Sequence, residues 1–306
     1  MIDFVKFRVH DSSALESHVV YNNVVDLHTT VNIATGEEFK YPKRGLYENI
    51  ELSIHEKSAY VKGSVHKMVN RIAYDADQNY NSFSFKCASE GVQHLIDLLK
   101  IKHRGTTLTN LELGFNIPLS ISPSQFLKYH VLMYDYTEPS KNLKHKGRGD
   151  YKEFQKTDYY IKIYSKSKQY NLNYNLLRVE LKILSKRLLE KLGVFSLEDL
   201  QDRKVIKNVF NLLWKELQNV MIVDDYTTTL MSPEDRSCLS HYTNPNYWNL
   251  LARDASYKVR NTKKKELQKL LEKFRLNTLR NEIFDKMECL YNELIKSPCN
   301  ELKMAA

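Results

Sequence analysis

Two stretches of the chain, Tyr160 to Lys166 and Leu177 to Ile183, alternate apolar with polar residues, and a period of two marks a strand with one buried face. In the first, Ile161 and Ile163 point one way while Tyr160, Lys162, Tyr164 and Lys166 point the other. In the second, Leu177, Val179, Leu181 and Ile183 face a core, and Arg178, Glu180 and Lys182 share the opposite surface. Pairing of the two strands sets Tyr164 and Glu180 on one polar surface among several cations.

The same alternation recurs and predicts a mainly antiparallel sheet. Val5, Phe7 and Val9 alternate with Lys6 and Arg8. Ile50, Leu52 and Ile54 lead through a turn at 55–58 into a second hairpin arm from Ala59 to His66, and Tyr80 to Lys86 reads as a further strand. A short strand is expected near Val24 to Leu27. From Leu108 to Ile117, an apolar face of Leu111, Leu113, Phe115 and Ile117 leaves Asn110, Glu112, Gly114 and Asn116 on the other. Helical spacing appears at Val92, Leu95, Ile96 and Leu99 after a cap at Ser89, and again from Pro123 to Met133. Beyond Gly193 the pattern turns helical, with amphipathic stripes at Val205, Val209, Leu212, Leu213 and Leu217 and at Leu267, Leu270, Leu271 and Phe274. The predicted fold class is α+β, with helices on one face of the sheet. Residues 1–195 form one region and residues 196–306 a helical C-terminal one.

Composition narrows the partners. At 306 residues and 42% hydrophobic, the chain can bury one large core or two smaller ones. Its 46 Lys and Arg against 37 Asp and Glu give a net charge of +9, which favours a polyanion, nucleic acid being the commonest. No apolar run approaches the ~20 residues of a membrane helix and no signal-peptide pattern opens the chain, so a cytoplasmic protein with no membrane partner is expected. Without a Walker loop or a Rossmann glycine pattern, an ATP-driven helicase and a dinucleotide enzyme are not supported. Cys87, Cys238, Cys289 and Cys299 read as free thiols.

Tyr164 has a cation two residues to either side. A phenol is a poor nucleophile at its ordinary pKa of about 10, and lysines with a metal ion favour its ionised form, so this surface suits attack on a phosphodiester. The plainer meaning is packing, because the chain has 20 tyrosines and strand tyrosines are mostly half-buried. Two basic segments are candidates for phosphate contact. One is a loop over residues 138–155 with Lys144, Lys146 and Arg148, and the other is the stretch carrying Lys258, Arg260, Lys263, Lys264 and Lys265. Solvated surface is the plainer meaning of both.

The segments IKIYSKSKQY and LLRVELKILSKRLLEKLGVFSLEDL resemble the replication initiation proteins of filamentous phages, the gene II and gene X family. MIDFVKFRV, ENIELSIHEKSAYVKGSVHK, YNSFSFK and LTNLELGFNI fall in that family's order, so the resemblance covers roughly the first two-thirds of the chain. It implies a rolling-circle initiator that nicks one strand of a phage or plasmid origin through Tyr164, leaving a 5′-phosphotyrosine and a 3′-hydroxyl primer, and later rejoins the strand. Lys162 or Lys166 would then lower the tyrosine's pKa beside Glu180. Glu112 would hold a metal ion with Asn116 and His66 as further ligands, a set that suits Mg2+ or Mn2+ better than zinc. The His-hydrophobic-His pair of many related nicking enzymes does not occur here. The implied partner is origin DNA in the cytoplasm of a bacterial host cell, with a host helicase and polymerase open as further partners. The alternative is a noncatalytic origin-binding regulator.

Overall fold

The structure is a computed structural model and describes residues 1–139 and 150–298. The chain opens with β1 (Ile2–Val9), α1 (Ser12–Tyr21), β2 (Lys43–Tyr47), β3 (Ile50–His55) and β4 (Ser58–Ser64). Two helices, α2 (Val65–Tyr74) and α3 (Phe85–Leu98), precede the long β5 (Thr106–Pro118). A short α4 (Pro123–Gln125) runs on as a π-helix (Phe126–His130) into β6 (Val131–Tyr134). Then come β7 (Tyr151–Gln155), β8 (Tyr159–Ser165), α5 (Lys166–Tyr170), β9 (Leu176–Ile183), α6 (Lys186–Lys191) and a 3-10 turn (Glu198–Gln201). The remainder comprises α7 (Arg203–Leu217), β10 (Val220–Ile222), α8 (Pro233–Tyr242), α9 (Pro245–Asp254), α10 (Tyr257–Lys273) and α11 (Thr278–Lys296).

Among the described residues, eight strands form one sheet in the order β2-β3-β4-β1-β5-β9-β8-β7, with every neighbouring pair antiparallel. The fold is α+β, as the alternation predicts. Leu113, Phe115, Val179 and Ile161 are almost fully buried on the apolar face, where Phe210 of α7 meets Phe115 edge-on at 5.6 Å and stacks on Tyr291 of α11 at 3.9 Å. Each such side chain contributes about 1.5–3 kcal/mol by leaving water, so this face dominates the stability of the sheet. A second apolar cluster, including Met133, Leu239, Tyr242, Trp248 and Leu267, joins the two-stranded β10-β6 sheet to α8, α9 and α10.

Several local expectations give way to capping and pairing. The stretch Tyr80 to Lys86 is not a strand: the Ser84 side chain accepts from the Cys87 amide and starts α3 at Phe85, before the expected cap at Ser89. The hairpin arm expected to run to His66 stops at Ser64, whose hydroxyl accepts from the Lys67 amide and begins α2, so His66 lies in a helix. Val24 to Leu27 form no strand, although Val25, Asp26 and Leu27 crowd against Gly45 of β2. The helix expected to reach Met133 gives way at Val131 to a strand, because β10 offers a pairing edge there. Of the expected loop at 138–155, Tyr151–Gln155 is an edge strand on β8. Cys238 and Cys289 are free, as expected, whereas Cys87 is disulfide-bonded, and Cys299 lies outside the described residues.

Candidate active site

Strand register sets the polar face of the sheet in rows. Gly114, Glu180, Lys162 and Glu153 lie opposite one another on β5, β9, β8 and β7, and Asn116, Arg178, Tyr164 and Tyr151 form the next row. Gly114 is small for a reason: a Cβ there would sit 2.5 Å from Cγ of Glu180 and 2.8 Å from Nε of Arg178. On the far side of β5, an irregularity between Ile2 and Val5 of β1 lets both side chains enter the core and turns Asp3 toward the polar face.

The side chains form one buried charge network. Arg178 is 1% exposed and donates to Asp3 (3.0 Å), Glu180 (3.0 Å) and Asn116 (3.0 Å). Burial works against its charge, but Glu180 and Asp3 outweigh that cost and hold the guanidinium firmly protonated. Asp3 has burial against its charge too, and Arg178 holds its carboxyl well below the usual range. Glu112 is met by Lys162 at 3.3 Å and Lys182 at 2.7 Å, and Lys162 also approaches Glu180 at 3.9 Å. Despite burial, Glu180 and Glu112 keep the Lys162 pKa above its ordinary value.

Tyr164 lines an open cleft of about 310 Å³ together with Glu180, Lys162, Lys166, Tyr151 and Glu112. Its hydroxyl donates to Glu180 at 3.0 Å. Burial, then the Glu180 charge, push the phenol well above its ordinary pKa, so the expectation that neighbouring lysines would lower it is not met. Lys166 is not on the strand but opens α5, where its Nζ lies 5.2 Å from the Tyr164 ring centre and donates to Asn79 at 2.6 Å. Burial, with Arg178 nearby, lowers its pKa to about 7. Asn79 joins the two halves of the network, since its amide donates to Asp3 at 2.8 Å and its oxygen also accepts from Tyr170 at 2.8 Å.

The residues expected to hold a metal do not converge. Asn116 spends its oxygen on Arg178 and its amide on the carbonyl of Asn79. His66 is 1% exposed, stacked on Phe83 at 4.2 Å and bonded through Nε2 to Asn81, and burial lowers its pKa to about 3. Its Nδ1 has no hydrogen-bond partner among the described residues, which leaves that ring nitrogen's lone pair unused. Glu112 and Glu180 already face Lys182, Lys162 and Arg178, and no group of three or more His, Cys, Asp or Glu among the described residues is placed to hold a metal ion. As arranged, the set does not fit a divalent cation.

On α10, Lys263 pairs with Glu266 at 2.8 Å, Lys264 lies 4.2 Å from the Tyr136 ring centre, and the half-buried Arg260 has its Nε out of water. Lys258 and Lys265 are exposed, and so is Lys269, which follows on the same helical face. Lys144, Lys146 and Arg148 lie outside the described residues. Sequence reasoning missed Asp3, Asn79, Tyr151 and Glu153 as site residues. The spacing Ile2-Asp3-Phe4-Val5, which breaks the alternation of β1, is the signal that marks Asp3. No helix among the described residues is long and apolar enough to cross a membrane.

No family model matches the chain, and no curated protein matches its sequence. Among solved structures, it is similar to a rolling circle replication initiator protein from Geobacillus stearothermophilus, with a TM-score of 0.40 and 9% identity over 74% of this chain and 88% of that one.

Proposed function

We propose that this protein initiates rolling-circle replication by nicking one strand of a phage or plasmid origin, with Tyr164 as the nucleophile. The observation that carries the reading is the Tyr164 hydroxyl, 3.0 Å from Glu180 on the wall of an open cleft that also holds Lys162 and Lys166. The phenol is protonated at neutral pH, so attack requires a base, and Glu180 is within reach of that proton. As the tyrosyl O–P bond forms, the P–O3′ bond breaks. The proton passes to Glu180, and the departing 3′-oxygen takes one from Lys166, whose pKa of about 7 suits an acid at neutral pH. Lys162, held charged by its carboxylates, opposes the negative charge that builds on the phosphate. Rejoining is the same transesterification reversed. No step is assigned to a metal ion.

A noncatalytic origin-binding protein is the second reading, and the pairing of Asp3, Glu112 and Glu180 with Arg178, Lys162 and Lys182 favours it, since such a network also serves a structural role. Supercoiled origin DNA separates the two readings. The native protein should produce nicked circles and a detergent-resistant adduct, and Tyr164→Phe should keep DNA binding and produce neither. A native protein that binds the origin and never nicks it decides for the second reading.

A further inference from the structure

Two lysines enter the cleft with opposite kinds of partner. Lys162 on β8 faces the carboxylates of Glu112 at 3.3 Å and Glu180 at 3.9 Å. Lys166, 1% exposed at the start of α5, donates instead to the side-chain amide of Asn79 at 2.6 Å and makes no ion pair among the described residues. Carboxylates keep Lys162 an ammonium, whereas a neutral oxygen offsets the burial of Lys166 only in part, and its pKa falls to about 7. The charged and titratable groups that face Lys166 come from five elements: Asp3 on β1, Lys67 on α2, Tyr164 on β8, Tyr170 on α5 itself, and Arg178 and Glu180 on β9. Both of those carboxylates are already bonded to Arg178, which leaves Asn79 as the acceptor that Lys166 touches.

Asn79 is built as a fixed oxygen. It lies between α2 and α3 in neither helix nor strand, yet it is 5% exposed. Asn116 donates to its carbonyl at 3.1 Å, and Asn70 donates to the carbonyl of the preceding Gln78 at 2.7 Å, so two buried amides pin this segment. Chemistry also sets which end of the Asn79 amide faces Lys166. An ionised carboxylate only accepts and an ammonium only donates, so Nδ2 goes to Asp3 at 2.8 Å and Oδ1 to Lys166, with the Tyr170 hydroxyl as a second donor at 2.8 Å.

We propose that Asn79 is a positioning residue for Lys166: its neutral oxygen aims the ammonium at the departing 3′-oxygen and leaves it free to release a proton, which a carboxylate in the same place would retain. The inference rests on the nicking reading given above. As the P–O3′ bond breaks, one proton moves from Nζ of Lys166 to the 3′-oxygen, and the neutral amine stays on Oδ1 of Asn79. Rejoining returns that proton to the amine, so no further reactant is required.

The test reads the amine and the reaction separately, in the full chain. NMR titration of the Lys166 side chain, assigned with Lys166→Arg, gives its midpoint without DNA, and single-turnover nicking of an origin oligonucleotide across neutral pH gives the kinetic one. Asn79→Leu, similar in bulk and without an acceptor, should lower both midpoints by about half a unit to one unit, because a charge-assisted hydrogen bond is lost. Tyr170→Phe keeps the ring and relieves Oδ1 of its second donor, so it should move both midpoints upward, and it decides the matter if Asn79→Leu does not fold. In Lys166→Met, adding Asn79→Leu should slow nicking little further, since the two residues act as a unit. Midpoints unmoved in either variant overturn the inference. So does a rise in Asn79→Leu, which would report water admitted to a loosened site, or an Asn79→Leu loss that is undiminished in Lys166→Met. If the NMR midpoints move as stated and the native protein never nicks, the nicking reading fails and the hold of Asn79 on Lys166 stands.

Discussion

The Tyr164 hydroxyl and the Glu180 carboxylate meet at 3.0 Å across adjacent strands, on a diagonal: Tyr164 is opposite Arg178 in the register, and Glu180 is opposite Lys162. This diagonal leaves Arg178 beside the carboxylate and Lys162 beside the cleft. Glu180 therefore accepts from the phenol and from Arg178 through one oxygen, Oε1, while Lys162 approaches its other oxygen at 3.9 Å.

Replacing that carboxylate by its amide separates its two roles. Glu180→Gln keeps the size and a hydrogen-bond acceptor for Tyr164, but an amide takes no proton. Single-turnover nicking should fall by about 10²–10⁴-fold, the usual weight of a positioned acid or base. Rapid-quench assays on an origin oligonucleotide measure this, and a loss of only a few-fold would assign proton removal to another group.

Arg178 is the residue on which the site's stability turns. Arg178→Met leaves Asp3 and Glu180 buried without their partner and should cost about 3–5 kcal/mol. Gly114→Ala drives a methyl group into the same pair, which cannot move aside because Arg178 is fixed at three points, and should cost about 1–3 kcal/mol. Denaturant unfolding of the two variants checks the order, and a Gly114→Ala protein as stable as the native one would mean that the pair has room to shift.

Lys166 gives the pH dependence its sign. Its pKa falls from 10.5 to about 7 on folding, so the ammonium form is lost in the folded protein as pH rises through about 7. If that form protonates the 3′-oxygen, nicking should decline above that pH, and Lys166→Arg, charged throughout, should be slower but lose the decline. Stability runs the opposite way. Between about 7 and 10.5 the unfolded chain binds the proton and the folded one does not, so stability should rise with pH across that window. Lys166→Met should lose both trends, which pH-rate profiles and melting curves measure together.

The alternating strands made the central part of the sheet legible, because a period of two with one buried face leaves the chain little choice: Leu111, Leu113, Phe115 and the apolar residues of β8 and β9 lie where the sequence puts them. The same rule misled at Tyr80 to Lys86, where Phe83 and Phe85 alternate but the Ser84 hydroxyl captures an amide and begins a helix. The polar face was legible only in part. Register made neighbours of Tyr164, Arg178 and Glu180, which share or adjoin one motif. Asp3 and Asn79 reach the same network from 175 residues and 87 residues away in sequence from Arg178 and Lys166, and no local pattern records such a contact.

The surface expected to bind the duplex is a stripe rather than a run. Lys263 and Lys264 are engaged with Glu266 and Tyr136, whereas Lys258, Lys265 and Lys269 are exposed along one face of α10 and make no ion pair among the described residues. If α10 lies along the phosphate backbone, the log-log dependence of duplex affinity on salt should flatten by roughly 0.9 for each of the three lysines that touches a phosphate. The triple variant Lys258→Ala, Lys265→Ala, Lys269→Ala should then show the largest change, and Lys263→Ala with Lys264→Ala a smaller one. Fluorescence anisotropy with labelled origin duplex across a salt series gives both slopes. Equal slopes in the triple variant and the native protein would return the stripe to plain solvated surface and move the DNA contact elsewhere on the molecule.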